Sequence, residues 1–307
     1  MFTQSKFCGR LLYCSLALLT LVTASQSDVT AHRLNNPMKI DGQLIESIYS
    51  KKAFNYFIQT DPDNGALPTE STEIWVGFDD EAIYVGWRLL DSKPEEIVSR
   101  LTRRDSDFNS DEIQFAIDSY NDNRSGFYFI VNPAGSIQDG TIANDGWFDD
   151  TWDGIWDRAA RIDDQGWTVE MRIPFSQLRF NMRDEIVMGI GLGRVIKRNN
   201  EHDLSFLTPR GESGVTSRFG DLLGIRNIHP PKRIEIIPYI TANIASLPSE
   251  KDNPFYHGQA SDFGIGTDLK LGIGNNLTID ATIIPDFGQV EVDPSVINLS
   301  AYETYYD

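Results

Sequence analysis

Residues 167–173 read WTVEMRI, and their alternation decides the fold. Trp167, Val169, Met171 and Ile173 fall on one face, while Thr168, Glu170 and Arg172 fall on the other. A period of two is that of a β-strand with one buried face. Outward from this stretch, the same period predicts strands over residues 73–78, 82–90, 112–118, 126–131 and 186–195. Asp79-Asp80-Glu81 and Asp163-Asp164-Gln165-Gly166 read as tight turns between strands, and residues 174–178 as a brief helical turn. No segment carries a long stripe of period 3.6. Residues 38–225 are therefore expected to form an antiparallel β-sandwich, jelly-roll-like in its many short strands.

The chain has 307 residues, room for two domains, and 24 glycines with 14 prolines favour turns over long helices. A formal charge of -18 repels a phosphate backbone, which excludes nucleic acid as a partner and leaves neutral polysaccharide unpenalised. Lys6 and Arg10 precede an apolar run over residues 11–22, and Thr23-Ala24-Ser25 offers small residues for cleavage. Residues 1–25 thus read as a secretory signal peptide, too short in its apolar run for a permanent span of about 20 residues. Both cysteines, Cys8 and Cys14, lie inside it, and Tyr13 argues against lipid attachment at Cys14. The mature chain is expected to be exported without disulfides or thiol chemistry.

Residues 226–232, with Pro230-Pro231, read as a stiff linker. Beyond it, residues 233–245, 263–273 and 277–284 alternate Ile, Leu or aromatic residues with Gly, Thr and Asp, and Gly274-Asn275-Asn276 offers a turn. Such strands suit either an outer-membrane barrel or a small soluble sheet. So few cannot close a barrel, because an open edge in lipid leaves backbone groups unpaired. Residues 233–307 are read as the first strands of an incomplete barrel.

Residues 146–157 read GWFDDTWDGIWD, which sets Trp147, Trp152 and Trp156 among aspartates with little aliphatic material. Rings beside carboxylates suit sugars, whose C–H faces stack while their hydroxyls take charge-assisted hydrogen bonds. The predicted platform is Trp147, Trp152 and Trp156, with Asp139, Asp145 and Asp149 as hydroxyl acceptors. The opposing reading buries these rings and leaves the aspartates to cap turns. Trp75 and Trp87, mid-strand, read as core. Asp105, Asp107, Asn109 and Asp111 fall at alternate positions and offer oxygen ligands to a calcium ion. A helix-loop-helix calcium site is contradicted by Ser110 and Ala116 at its glycine and closing-acid positions. A hydrolase of O-glycosyl compounds would need two flanking carboxylates that the sequence cannot single out. The four histidines, His32, His202, His229 and His257, suggest no triad, there is no Gly-x-Ser-x-Gly elbow, and the chain is read as lacking its own catalytic centre.

The strings KIDGQLIESIYSKKA (39–53), EIWVGFDDEAIYVGWRLLDSKPE (73–95), LTRRDSDFNSDEIQFAIDSYNDNR (101–124) and WTVEMRIPFSQLRF (167–180) resemble the family-9 carbohydrate-binding-module-like domain that opens a group of bacterial outer-membrane proteins. RFGDLLGI, PPKRIEIIPYI and IPDFGQVEVDPSVINLSAYETYY are similar to the start of the uncharacterised barrel region that follows it. The resemblance implies a jelly-roll-like sandwich binding poly- or oligosaccharide through tryptophans, often with structural calcium. It implies a link to carbohydrate catabolism and a place in the periplasm, the outer membrane or the cell surface. It also implies a barrel longer than the stretch present. Two alternatives stand beside it, a glycoside hydrolase and a plug or gate of an outer-membrane barrel.

Overall fold

The computed structural model describes residues 28–228, 234–246, 259–273 and 277–284. The expected signal peptide, Pro230-Pro231, Gly274-Asn275-Asn276 and the PDFGQVEVDP string lie outside them. The first layer holds β1 (Val29–Arg33), β3 (Thr72–Phe78), β4 (Ala82–Leu90), β9 (Asp157–Asp163) and β10 (Gly166–Pro174). The second holds β5 (Glu112–Asp118), β6 (Gly126–Val131), β7 (Ile137–Ala143), β8 (Trp147–Asp149), β11 (Glu185–Ile196) and β13 (Gly220–Arg226), with β2 (Ile58–Asp61) and β12 (Glu201–Leu204) as a side ribbon. The order along the curled sheet is β8-β7-β6-β5-β11-β13-β1-β3-β4-β10-β9. The chain is all-β, with 50% strand and no α-helix among the described residues. Phe175–Gln177 is the single 3₁₀ turn expected after β10.

The two layers face each other across a dry core. Trp167, Val169, Met171 and Ile173 of β10 are fully buried, as are Trp87 and Leu89 of β4 and Phe115 and Phe129 of the opposite layer. Fully burying one such side chain is worth roughly 1.5–3 kcal/mol, so alternation alone supplies most of what holds the layers together. Trp87 is in this core, and Trp75 is buried in a second cluster, its indole N–H donating to the Lys51 carbonyl at 3.0 Å. One strand departs from the expected antiparallel plan. β1 runs parallel to both of its neighbours, Val29 against Leu222 of β13 and Ala31 against Val76 of β3.

The outer face of β4 and β10 is covered by residues 38–53, and the cover is pinned at one buried carboxylate. Glu170 accepts hydrogen bonds from the Asp41 and Gly42 amides at 2.9 and 2.8 Å and from the Tyr49 hydroxyl at 2.7 Å. The Tyr49 ring lies against Gly86, where any Cβ would stand 2.4 Å from it. The even-numbered face of β10 is thus polar but not bare.

Residues 234–284 contribute a separate sheet, β14 (Ile234–Ser246), β15 (Gln259–Ile273) and β16 (Leu277–Ile283), paired in that order. Its register puts Ile236 opposite Leu269 and Ile240 opposite Ile265, and Leu269 in turn opposite Ala281. One face therefore collects apolar side chains, of which Ile236, Ile240, Ile244, Ile265 and Ile283 are exposed. The other face carries Glu235, Thr241, Asp268, Lys270 and Asp280, with Ile237 and Tyr239 among them.

Beneath the β2–β12 ribbon, Asp203 is 1% exposed and neither carboxylate oxygen has a hydrogen-bond donor. Burial, reinforced by the neighbouring Glu201 carboxylate, pushes its pKa up to about 7. The folded state therefore holds this proton more tightly than the unfolded chain, and stability falls as pH rises from the ordinary aspartate range through about 7. Asp203→Asn should leave the melting temperature nearly unchanged near pH 3.5 and raise it by roughly 5 °C near pH 8. Calorimetry at the two pH values checks this, and a lower melting temperature for the variant near pH 8 would contradict it.

Candidate functional site

The structure separates the three tryptophans of residues 146–157. Trp156 is buried, 7% exposed, and meets the core ring of Phe129 edge-on at 5.2 Å. Trp152 is half-buried against Phe127 at 5.0 Å and lines a small cavity of about 270 Å³ with Gln177, Arg179 and Glu235. Only Trp147 stands open, 70% exposed. No common platform forms, because the three-residue β8 holds Trp147 while Trp152 and Trp156 follow it and turn inward on the layer below.

The aspartates expected to accept sugar hydroxyls are also engaged. Asp139, fully buried, takes the Arg104 guanidinium at 2.7 Å and the Gly154 amide at 2.6 Å. Asp149 accepts from the Thr151 amide and hydroxyl in a local turn. Asp145 accepts from the Val215 and Ser217 amides and the Thr216 and Ser217 hydroxyls at 2.6–2.9 Å. Burial alone would raise the Asp145 pKa, but these donors outweigh it and hold the group at about 2.

The expected calcium ligands do not converge. Asp105 and Asn109 both have positive φ, 57° and 41°, which breaks the extended alternation that the spacing suggested. Asp107 accepts from the Asn109 amide in an exposed turn, while Asp111 is buried, accepts from the Lys197 amide at 2.9 Å and has its pKa pushed up to about 6 by that burial. Among the described residues, the carboxylates that do meet are Asp105, Asp139 and Asp153, within 4.8 Å of one another. The Arg104 guanidinium lies among them, with Nε 2.8 Å from Asp153 and 3.3 Å from Asp105. Neither set fits calcium, the first because its oxygens diverge and the second because an arginine already supplies the positive charge.

A concave groove of about 350 Å³ lies instead on the outer face of the second layer. Its base follows from glycines at alternate positions of β11. Gly189, Gly191 and Gly193 pair with Asp118, Ala116 and Gln114 of β5, leaving the middle of the strand's outer face without side chains. The Phe219 ring lies on Gly191, where a Cβ would be 2.3 Å from it, and Tyr128 lies likewise over Gly140. Two aromatic pairs result, Tyr128 with Phe148 at 5.4 Å and Phe206 with Phe219 at 5.5 Å. Between them sits a polar relay in which the Gln114 amide N–H donates to Glu112 at 2.8 Å and the Gln114 carbonyl lies 3.1 Å from His202 Nε2. Burial lowers the His202 pKa, with Asp61 opposing, so the ring is neutral and donates its Nε2–H to Gln114. Burial also raises Tyr128 to about 12, keeping its phenol protonated.

The loop of residues 146–157 does serve this groove, through Phe148 rather than through a tryptophan. Asp145 serves it too, since the four donors it gathers belong to the segment that carries Val215 into the lining. Of the lining residues, none was singled out from sequence for binding. The legible signal was GIGLG at 189–193, whose alternate glycines mark a strand face on which something flat must lie.

Residues 230–307 match a family model described as a domain of unknown function (DUF5916). No curated protein matches the chain by sequence. Among solved structures, a candidate carbohydrate-binding protein from Bacteroides uniformis ATCC 8492 is similar at 12% identity and TM-score 0.51, over 64% of this chain and 98% of that one. A family-9 carbohydrate-binding module from Caldicellulosiruptor kristjanssonii is similar at 14% identity and TM-score 0.48 in a complex with cellotriose, over 66% of this chain and 100% of that one. Its complex with glucose gives 15% identity and 0.47, with the same coverage. At these identities the likeness is one of fold.

Trp156→Ala should cost about 3 kcal/mol or more of stability in urea unfolding, whereas Trp147→Ala should change it by less than about 0.5 kcal/mol. Equal losses would place both rings in the core.

Proposed function

We propose that the sandwich binds a saccharide in the groove between the two aromatic pairs. The observation that carries this reading is the pairing of Tyr128–Phe148 and Phe206–Phe219 around an uncharged groove with a fixed Gln–His relay. Pyranose C–H faces stack on such rings, and the amide, imidazole and phenol exchange hydrogen bonds with hydroxyls. Binding is favoured over O-glycosyl hydrolysis because no carboxylate lines the groove among the described residues, and that reaction needs two. Cellotriose and glucose, bound in the two solved complexes of the Caldicellulosiruptor kristjanssonii module, are convenient first ligands to try.

The module acts, in this reading, at a bacterial outer membrane, where it holds saccharide destined for catabolism. What supports the location is the second sheet, whose apolar face of Ile236, Ile240, Ile244 and Ile265 has no cover among the described residues while its other face is mainly polar. That division suits lipid on one side and a lumen on the other. Its edge strands, β14 and β16, would pair with further strands in a closed barrel.

Phe148→Ala should weaken the best-bound oligosaccharide about tenfold in isothermal titration calorimetry, the worth of one lost stack, without lowering the melting temperature, since Phe148 is 54% exposed. Wild-type affinity in this variant would remove the groove from the reading. In flotation with phosphatidylethanolamine–phosphatidylglycerol vesicles, the chain should rise with lipid, and the double variant Ile240→Asp, Ile265→Asp should remain at the bottom. Flotation of both proteins alike would count against the lipid-facing assignment.

A further inference from the structure

Resting on the saccharide reading, we propose that the groove's ligand is a sugar bearing an uncharged apolar substituent, an O-acyl ester or an aryl aglycone, rather than a bare sugar chain. Of the sixteen lining residues only Gln114, Tyr128, His202 and Thr208 have polar side-chain groups, and none is charged at neutral pH. Two of those four are largely committed, Gln114 to Glu112 and His202, and His202 to Gln114. A pyranose presents several hydroxyls, and each one buried without a partner weakens binding by roughly tenfold. An ester or an aryl ring makes no such demand.

The polar groups are also confined to part of the groove: Leu204 and the Phe206–Phe219 pair share the Gln114–His202 side, and the far side has no polar side chain. The sheet order β12-β11-β5-β6-β7-β8 places His202 and Gln114 on one side and Ile142 and Phe148 on the other, with Tyr128 and Ile130 between. A sugar seated at the Gln114–His202 side satisfies its hydroxyls there and leaves the Ile130, Ile142 and Phe148 side to water. A substituent a few bonds away fills that side and removes apolar surface from solvent. The apolar wall is preformed, because Asp145 fixes the Val215 segment through four hydrogen bonds, so a ligand need not order it.

The test is titration calorimetry of the full chain with methyl and nitrophenyl glycosides of glucose, xylose, galactose and mannose, and with acetylated xylo-oligosaccharides before and after alkaline deacetylation. For whichever sugar binds, the substituted member should bind at least tenfold more tightly, and Phe148→Ala should weaken the substituted member by a larger factor than it weakens the bare sugar. Equal affinity for both members, with Phe148→Ala weakening both, overturns the substituent and leaves the saccharide reading standing. Free nitrophenol binding as tightly as its glycosides overturns both readings, as does the absence of binding throughout the panel.

Discussion

The interior shared by the two layers is the constraint on which the rest of the molecule depends. Val169 of β10 lies opposite Trp87 of β4, and their burial fixes the register, so Thr168, Glu170 and Arg172 have to face away. Everything on the outer faces is a response to that choice. On the first layer the response is a cover, residues 38–53, tied down by Glu170. On the second it is a row of glycines with four aromatic rings, of which Phe219 is buried over Gly191 while Tyr128, Phe148 and Phe206 reach the groove. The same sandwich thus has one face closed by its own chain and one that keeps a groove.

The strands that bury one full face were legible residue by residue. Residues 82–90, 112–118 and 126–131 are strands over those bounds, and the β3–β4 and β9–β10 turns fall where acidic and glycine residues predicted them. Strands with little to bury escaped notice. β9 (DRAARID) is mostly exposed, and β12 has four residues, two of them buried acids that read as turn material. β1 escaped for another reason. Its parallel partners are separated from it in sequence, and no local pattern announces such a pairing.

The residues of the groove were less legible because geometry, not composition, decides which rings come together. Three tryptophans among aspartates look alike in sequence, yet one faces water, one leans on Phe127 and one joins the core. In a three-residue strand such as β8, alternation is too short to show which ring faces which way. The aspartates misled for a related reason, since short acidic side chains close turns and gather backbone donors as readily as they meet ligands. Asp105, Asp107, Asn109 and Asp111 had ligand spacing but lacked a common direction. The alternate glycines of β11 held the stronger clue, because a glycine-bared face is meaningful only in relation to the rings that come to rest on it from distant segments.

The position of β1 bears on when the sandwich can assemble. The strand that opens the sandwich is hydrogen-bonded to the strand that completes it, Val29 to Leu222. During synthesis the seam between them cannot close until nearly the whole module has left the ribosome. The topology that joins the two layers thus also sets the moment of assembly, because the first strand has to wait for the last.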